Sequence, residues 1–162
     1  MIDHWLPPLV LLNDHNGDWS RYLQTLYEHF TRDFLDSLPT FRSHRMGLKR
    51  YPEELGKVAT FWHLISEGKV EAHRTPDFRR CERICWPRPM IEQEGTRELR
   101  VWRQMRGTEK RVVIGLQDFS YILILAERNS RTGVFYLPWT AYCIEYEHQR
   151  QKLRKEWELQ RF

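Results

Sequence analysis

From residue 98 onward, apolar and polar positions alternate with a period of two through four successive segments, and this constrains the fold most. The segments are ELRVWRQMR (98–106), EKRVVIGLQ (109–117), SYILILAER (120–128) and GVFYLPWTAYCIEY (133–146). Alternation of this kind is the signature of strands. The separators are Gly107-Thr108, Gln117-Asp118-Phe119 and Asn129 to Gly133, all short and turn-like. Links so short join antiparallel neighbours, so the expectation is a four-stranded meander. On the last strand, alternation predicts Tyr136, Thr140 and Tyr142 on one face. Phe135, Leu137, Trp139 and Ala141 are expected on the other, packed on helices.

Upstream the period is helical. Asp18 reads as an N-cap, and Trp19, Tyr22, Leu23, Leu26, Phe30, Phe34 and Leu35 recur at three- and four-residue steps up to Pro39. Leu9–Leu12 reads as a short strand, and residues 41–50 as a strand or loop. A helix is predicted from Glu53 to Ser66, closed by Gly68. A shorter one is predicted from Pro76 to Cys85, terminated by Pro87 and Pro89. The charged tail from Glu145 is helical in composition. Helices, then an antiparallel sheet, then a closing helix make the class α+β. With 162 residues and no linker, the expectation is one domain, 1–162.

The chain carries a net charge of +4, and its basic residues are unevenly placed. Residues 37–50 hold Arg42, Arg45, Lys49 and Arg50 without an acid, and residues 74–111 are dense in arginine. Arginine's planar fork suits phosphate, so a polyanionic partner is one reading and a solvated basic surface the other. No apolar run approaches a membrane span, and the stretch MIDHWLPPLVLL lacks the basic start of a signal peptide. Three cysteines give no disulfide framework, so a reduced, cytoplasmic protein without membrane association is expected.

Phosphate-loop, dinucleotide and nucleophile-elbow glycine motifs are missing from the sequence. Cys81 and Cys85 share a helix face near His73 but have no second ligand pair, so no metal site is expected. Nor do the acids fall into a spaced carboxylate cluster for Mg²⁺. Neither a cofactor nor a metal is therefore called for. His63, in KVATFWHLISEG, sits beside Thr60 with Lys57 adjoining on a polar stripe of the predicted helix. Spacing alone leaves it either a hydrogen-bonded core residue or a reactive group.

The order of parts over residues 53–146 resembles the barnase–EndoU–colicin–RelE fold of ribonucleases. The resemblance rests on KVATFWHLIS, RTPDFRRCERICWPRPMI, the meander and FYLPWTAYCIEY. The TAY near the end of the last strand, followed by a charged helix, is similar to phage-associated and polymorphic-toxin members. The resemblance implies metal-independent cleavage of RNA, possible tRNA among it, to 2′,3′-cyclic phosphate ends. It also implies an antitoxin or immunity protein as partner. Residues 1–50 then form a helical N-terminal extension, 53–146 the nuclease core and 147–162 the closing helix. His63 is the candidate base or acid, and Lys57 a neighbouring charge. Arg83 stabilises the phosphorane, and Thr140 and Tyr142 orient the 2′-OH or phosphate. Arg74, Arg79, Arg80, Arg103 and Arg128 would bind substrate, with Trp86, Trp102 and Tyr136 as stacking surfaces for bases. The rivals are a non-catalytic, basic nucleic-acid-binding or regulatory protein of a mobile element, and a protein-interaction module using the N-terminal helix.

Overall fold

The computed structural model describes residues 5–162, so Met1 to His4 of the stretch read for a signal peptide lie outside it. The fold is α+β: helices first, a four-stranded antiparallel sheet, then a closing helix. The strands are β5 (Leu99–Arg106), β6 (Glu109–Leu116), β7 (Tyr121–Ser130) and β8 (Gly133–Cys143), numbered after four short strands described below. They are hydrogen-bonded in sequence order. Arg106 pairs with Glu109 around Gly107-Thr108, and Ser130 with Gly133 around Arg131-Thr132. The β6–β7 turn puts Phe119 in the left-handed region at φ 60°. That conformation is costly for an aromatic residue. Its ring is fully buried near Trp102 and Trp157, which offsets the cost.

Both faces of the sheet are covered, unequally. Val101, Val112, Ile114, Leu123, Leu125 and Tyr136 belong to the larger core with the helices upstream. Trp102, Val113, Ile122 and Ile124 form a smaller cluster beneath α5 (Glu147–Gln160), which supplies Leu153 and Trp157. Gly115 makes room here, since a Cβ would lie 3.2 Å from the Trp102 indole.

In the N-terminal region, α1 (Trp19–Phe30) begins at Asp18, whose carboxylate accepts the Arg21 N–H. It runs into a π-helical turn, Thr31–Leu35. Tyr22, Leu26, Phe30 and Phe34 are buried in the larger core, so this segment builds the same core as the sheet. Leu9–Leu12 is not a strand: Val10 instead donates to the Glu82 carbonyl and accepts from the Tyr22 hydroxyl. A tight hairpin follows, β1 (Thr40–Phe41) with β2 (His44–Arg45). Met46 then bridges Tyr136 at the outer edge of β8, with the Gly47 N–H on the Tyr136 carbonyl at 2.8 Å. A Cβ at Gly47 would meet the Leu137 side chain at 3.1 Å, so glycine permits this approach. The opposite edge, β5, receives the Phe162 N–H on the Val101 carbonyl and a bridge from Arg161 to Trp102.

Three further expectations are corrected. The helix predicted over 53–66 is only α2 (Ala59–Ile65). Glu54 and Lys57 exchange both backbone hydrogen bonds around Leu55 and Gly56, each at positive φ, and this turn uses the residues meant for the first helical turns. Pro87 and Pro89 do not simply end a helix. After α3 (Phe78–Glu82), Pro87 opens α4 (Pro87–Glu92), where its missing N–H has no partner to lose. Finally, the faces of β8 change partway along. Leu125 pairs with Pro138 but Ile124 with Thr140, leaving Trp139 as an extra residue in a bulge. Proline cannot donate to the ladder, and the alternation shifts phase there. Tyr136 and Ala141 therefore lie in the larger core, while Trp139 and Tyr142 pack against the smaller cluster.

Candidate functional site

After α2 the chain forms β3 (Ser66–Glu67), loops out through a 3₁₀ turn at Glu71–His73, and returns as β4 (Thr75–Pro76). Asp77 then caps α3 by accepting the N–H groups of Arg79 and Arg80. This path brings two arginines onto one carbonyl. Arg74 Nη2 donates to the Ser66 carbonyl at 2.6 Å, and Arg80 Nη1 donates to the same oxygen at 2.8 Å. Arg74 also holds Ser66 Oγ and the Gly68 carbonyl. Arg80 Nη1 reaches Thr140 Oγ1 at 3.0 Å, and its guanidinium lies 5.2 Å from the Tyr142 ring centroid. Arg80 Nε is buried with no hydrogen-bond partner, and the closest carboxylate oxygen to it, on Asp77, is 3.9 Å away. Burial, and then the neighbouring Arg80, lower the pKa of Arg74. Two like charges meeting at a neutral acceptor make a site whose electrostatics favour an anion.

His63 stands next to this pair, though not as the sequence suggests. Its side chain is only 7% exposed, so it does not face an open groove. Its Nε2–H donates to Glu71 Oε1 at 2.7 Å, and its ring meets Trp139 edge-on with centroids 5.2 Å apart. Burial holds the imidazole below its ordinary pKa, the Arg74 and Lys49 charges push the same way, and Glu71 opposes them. For Glu71, burial acts upward, but the His63 hydrogen bond with Lys49 and Arg74 outweighs it and keeps the carboxyl below its usual range. Lys49 Nζ is 3.8 Å from Glu71 Oε1 and 5.7 Å from the Trp139 ring centroid. With Nε2 given to Glu71, Nδ1 is the nitrogen through which His63 would take a proton from anything else.

Of the residues read from sequence, Arg74, Arg80, Thr140 and Tyr142 thus come together, with His63 behind them. Arg128 borders the group, 5.4 Å from the Trp139 centroid, while its Nη2 bonds Glu109. Others are elsewhere. Lys57 precedes α2, bonds the Leu55 carbonyl and lies over Tyr27, so it does not share a stripe with His63. Thr60 is buried and anchors the backbone of Lys49 through its hydroxyl. Arg83 bonds the Arg79 carbonyl and covers Trp86. Arg79 pairs with Glu145, and Arg103 with Glu127 and the Phe162 ring, but both also line the cleft onto which Arg80 and Tyr142 open.

The three proposed stacking surfaces serve packing instead. Trp86 donates to the Pro7 carbonyl and meets Tyr121 edge-on, while Trp102 and Tyr136 are buried outright. Glu71, Lys49, Ser66 and Trp139 are the members that sequence reasoning missed. Cys81 and Cys85 are buried, the Cys81 thiol pushed up to about 12, chiefly by desolvation. Among the described residues no group of three His, Cys, Asp or Glu stands close enough to hold a metal.

Arg80 and Tyr142 open on a cleft of about 990 Å³ between the sheet and α5. No helix among the described residues is long and apolar enough to cross a membrane. Comparisons with protein-family models, curated proteins and solved structures find no match.

Proposed function

We propose that this protein is a metal-independent endoribonuclease acting in the cytoplasm as a toxin, held in check by an antitoxin or immunity protein. The reading rests on the barnase–EndoU–colicin–RelE resemblance. The observation that carries it in the structure is the Arg74–Arg80 pair on the Ser66 carbonyl, beside a histidine–carboxylate pair. A phosphodiester at the two guanidiniums would complete their charge, with Thr140 Oγ1 and the Tyr142 hydroxyl orienting it. The buried His63 ring has to be uncovered for its Nδ1 to take the ribose 2′-OH proton. Glu71 then fixes the tautomer and stabilises the imidazolium that results. The freed O2′ bonds to phosphorus, the bond to O5′ breaks, and the Lys49 ammonium is a proton source for the leaving oxygen. The arginines meet the charge that develops on the phosphorane. A 2′,3′-cyclic phosphate and a 5′-hydroxyl are the products.

The burial of His63 favours a second reading: a basic RNA-binding or regulatory protein of a mobile element, in which the arginines only position phosphate. Incubating purified protein with end-labelled RNA in EDTA separates the two. Cyclic-phosphate fragments that vanish with His63→Gln support the enzyme. Salt-sensitive binding without cleavage supports the second reading.

A further inference from the structure

Ser66, Glu71 and Arg74 do more than meet His63 and Arg80: they also form one wall of a separate pocket of about 520 Å³. That volume is within the usual range for small-ligand sites. Trp19, Leu23 and Trp62 supply its apolar walls, and Glu53 and Glu54 line it from the exposed turn before α2. The Trp62 indole N–H is already given to the Glu54 carbonyl, which leaves the ring as a flat surface and ties the turn to the pocket. Arg74, one of the two guanidiniums assigned to phosphate, stands at its wall.

We infer that this pocket receives a nucleobase bearing an exocyclic amine, next to the phosphate bound by Arg74, and that it disfavours uracil. The inference builds on the ribonuclease reading and names the base that the site selects. Flat indole surface is what a splayed base stacks on. Ionised carboxylates only accept hydrogen bonds, so an acid-lined pocket matches edges that donate. Adenine, cytosine and guanine each present an amino group. Uracil presents two carbonyl oxygens around a single N–H, and those oxygens would face carboxylates. A pocket that is acidic at the base and basic at the phosphate also fixes which end of a nucleotide enters first.

The test is calorimetric titration of the protein with the 3′- and 5′-monophosphates of the four ribonucleosides, which needs no turnover. The amino-bearing nucleotides should bind about tenfold or more tightly than the uridine ones, the size of a lost hydrogen bond to a charged group. Preference for the 3′ or the 5′ series tells on which side of the phosphate the base lies. Glu53→Gln/Glu54→Gln, on exposed positions where folding is retained, should erase the discrimination because an amide both donates and accepts. Trp62→Phe should weaken all four nucleotides together. Equal binding of all four, tighter binding of uridine nucleotides, or no nucleotide binding overturns the inference. RNA cleavage without base preference overturns the pocket and leaves the ribonuclease reading standing. Selective nucleotide binding by a protein that cleaves no RNA does the reverse.

Discussion

The sheet and the segment from Lys49 to Arg80 are held together by different means. β5 and β6 pair over their whole length, from Leu99 with Leu116 to Arg106 with Glu109, and every strand is clamped between two apolar layers. The Lys49–Arg80 segment has one seven-residue helix, two strands of two residues each, a 3₁₀ turn and the first residues of α3. Its shape depends on side chains gripping backbone: Thr60 on Lys49, Arg74 on Ser66 and Gly68, and Arg80 on Ser66. Burial of apolar surface fixes the first region. The second is fixed by groups that the proposed chemistry also uses, so its local order and its affinity for an anion are linked. Damage to the sheet should appear as lost stability, and damage to the segment as lost function.

The largest effect expected is on the sheet side. Trp102→Ala removes a fully buried indole and one of the two N–H groups donated to Glu156, the Gln104 amide remaining, at a cost of about 3–5 kcal/mol in denaturant unfolding. A smaller loss than His63→Ala causes would break the comparison. His63→Gln should lower the cleavage rate by roughly 10²-fold or more, the usual contribution of a general base, while melting stays cooperative. Full activity in that variant would make His63 a packing residue. Arg80→Ala should weaken RNA binding about tenfold or more with a stability change of about 1 kcal/mol, read by salt-dependent titration alongside melting.

The pH response sharpens the comparison further. A histidine whose folded pKa lies below 6.5 binds fewer protons than the same residue in the unfolded chain. Its contribution to stability is then present above that value and is lost as pH falls through the interval beneath it. The slope for one such group is at most about 1.4 kcal/mol per pH unit. His29 is shifted in the same direction, also by burial, and cancels in the difference between wild type and His63→Gln. That difference carries His63 together with Glu71, whose carboxyl His63 helps hold down, and the Glu71 share falls in the more acidic carboxylate range. The acid limb of the rate profile should lie below the ordinary histidine range for the same reason. Smallest of all, Lys57→Ala should change both stability and cleavage little, within about 0.5 kcal/mol, because Lys57 only borders Tyr27 and its own turn.

What was legible in the sequence follows the same division. Period two located all four strands, Gly107-Thr108 their first turn, and Asp18 the start of α1, because each is written in neighbouring residues. The face assignment on β8 failed at Pro138, where a single bulge reverses everything beyond it. Arg74, Arg80, Thr140 and Tyr142 were named from arginine density and a strand end, and they do meet. Glu71 and Lys49 carry no period, since one sits in a 3₁₀ turn and the other outside regular structure. Their relation to His63 is set by a loop closing in three dimensions.

Short pieces of chain sit against both outer strands of the sheet, Met46-Gly47 on β8 and Arg161-Phe162 on β5. An open four-stranded meander otherwise offers two rows of unpaired N–H and C=O groups to any other extended chain, including a copy of itself. Here one row meets a strap and a proline-containing bulge, and the other meets the last two residues, held by Arg42 and Arg103 against the Phe162 ring. Edge-to-edge polymerisation is thereby discouraged at both ends of the sheet. Without the Arg161 and Phe162 contacts, the β5 edge at Val101 and Trp102 would be open to pairing with another extended chain.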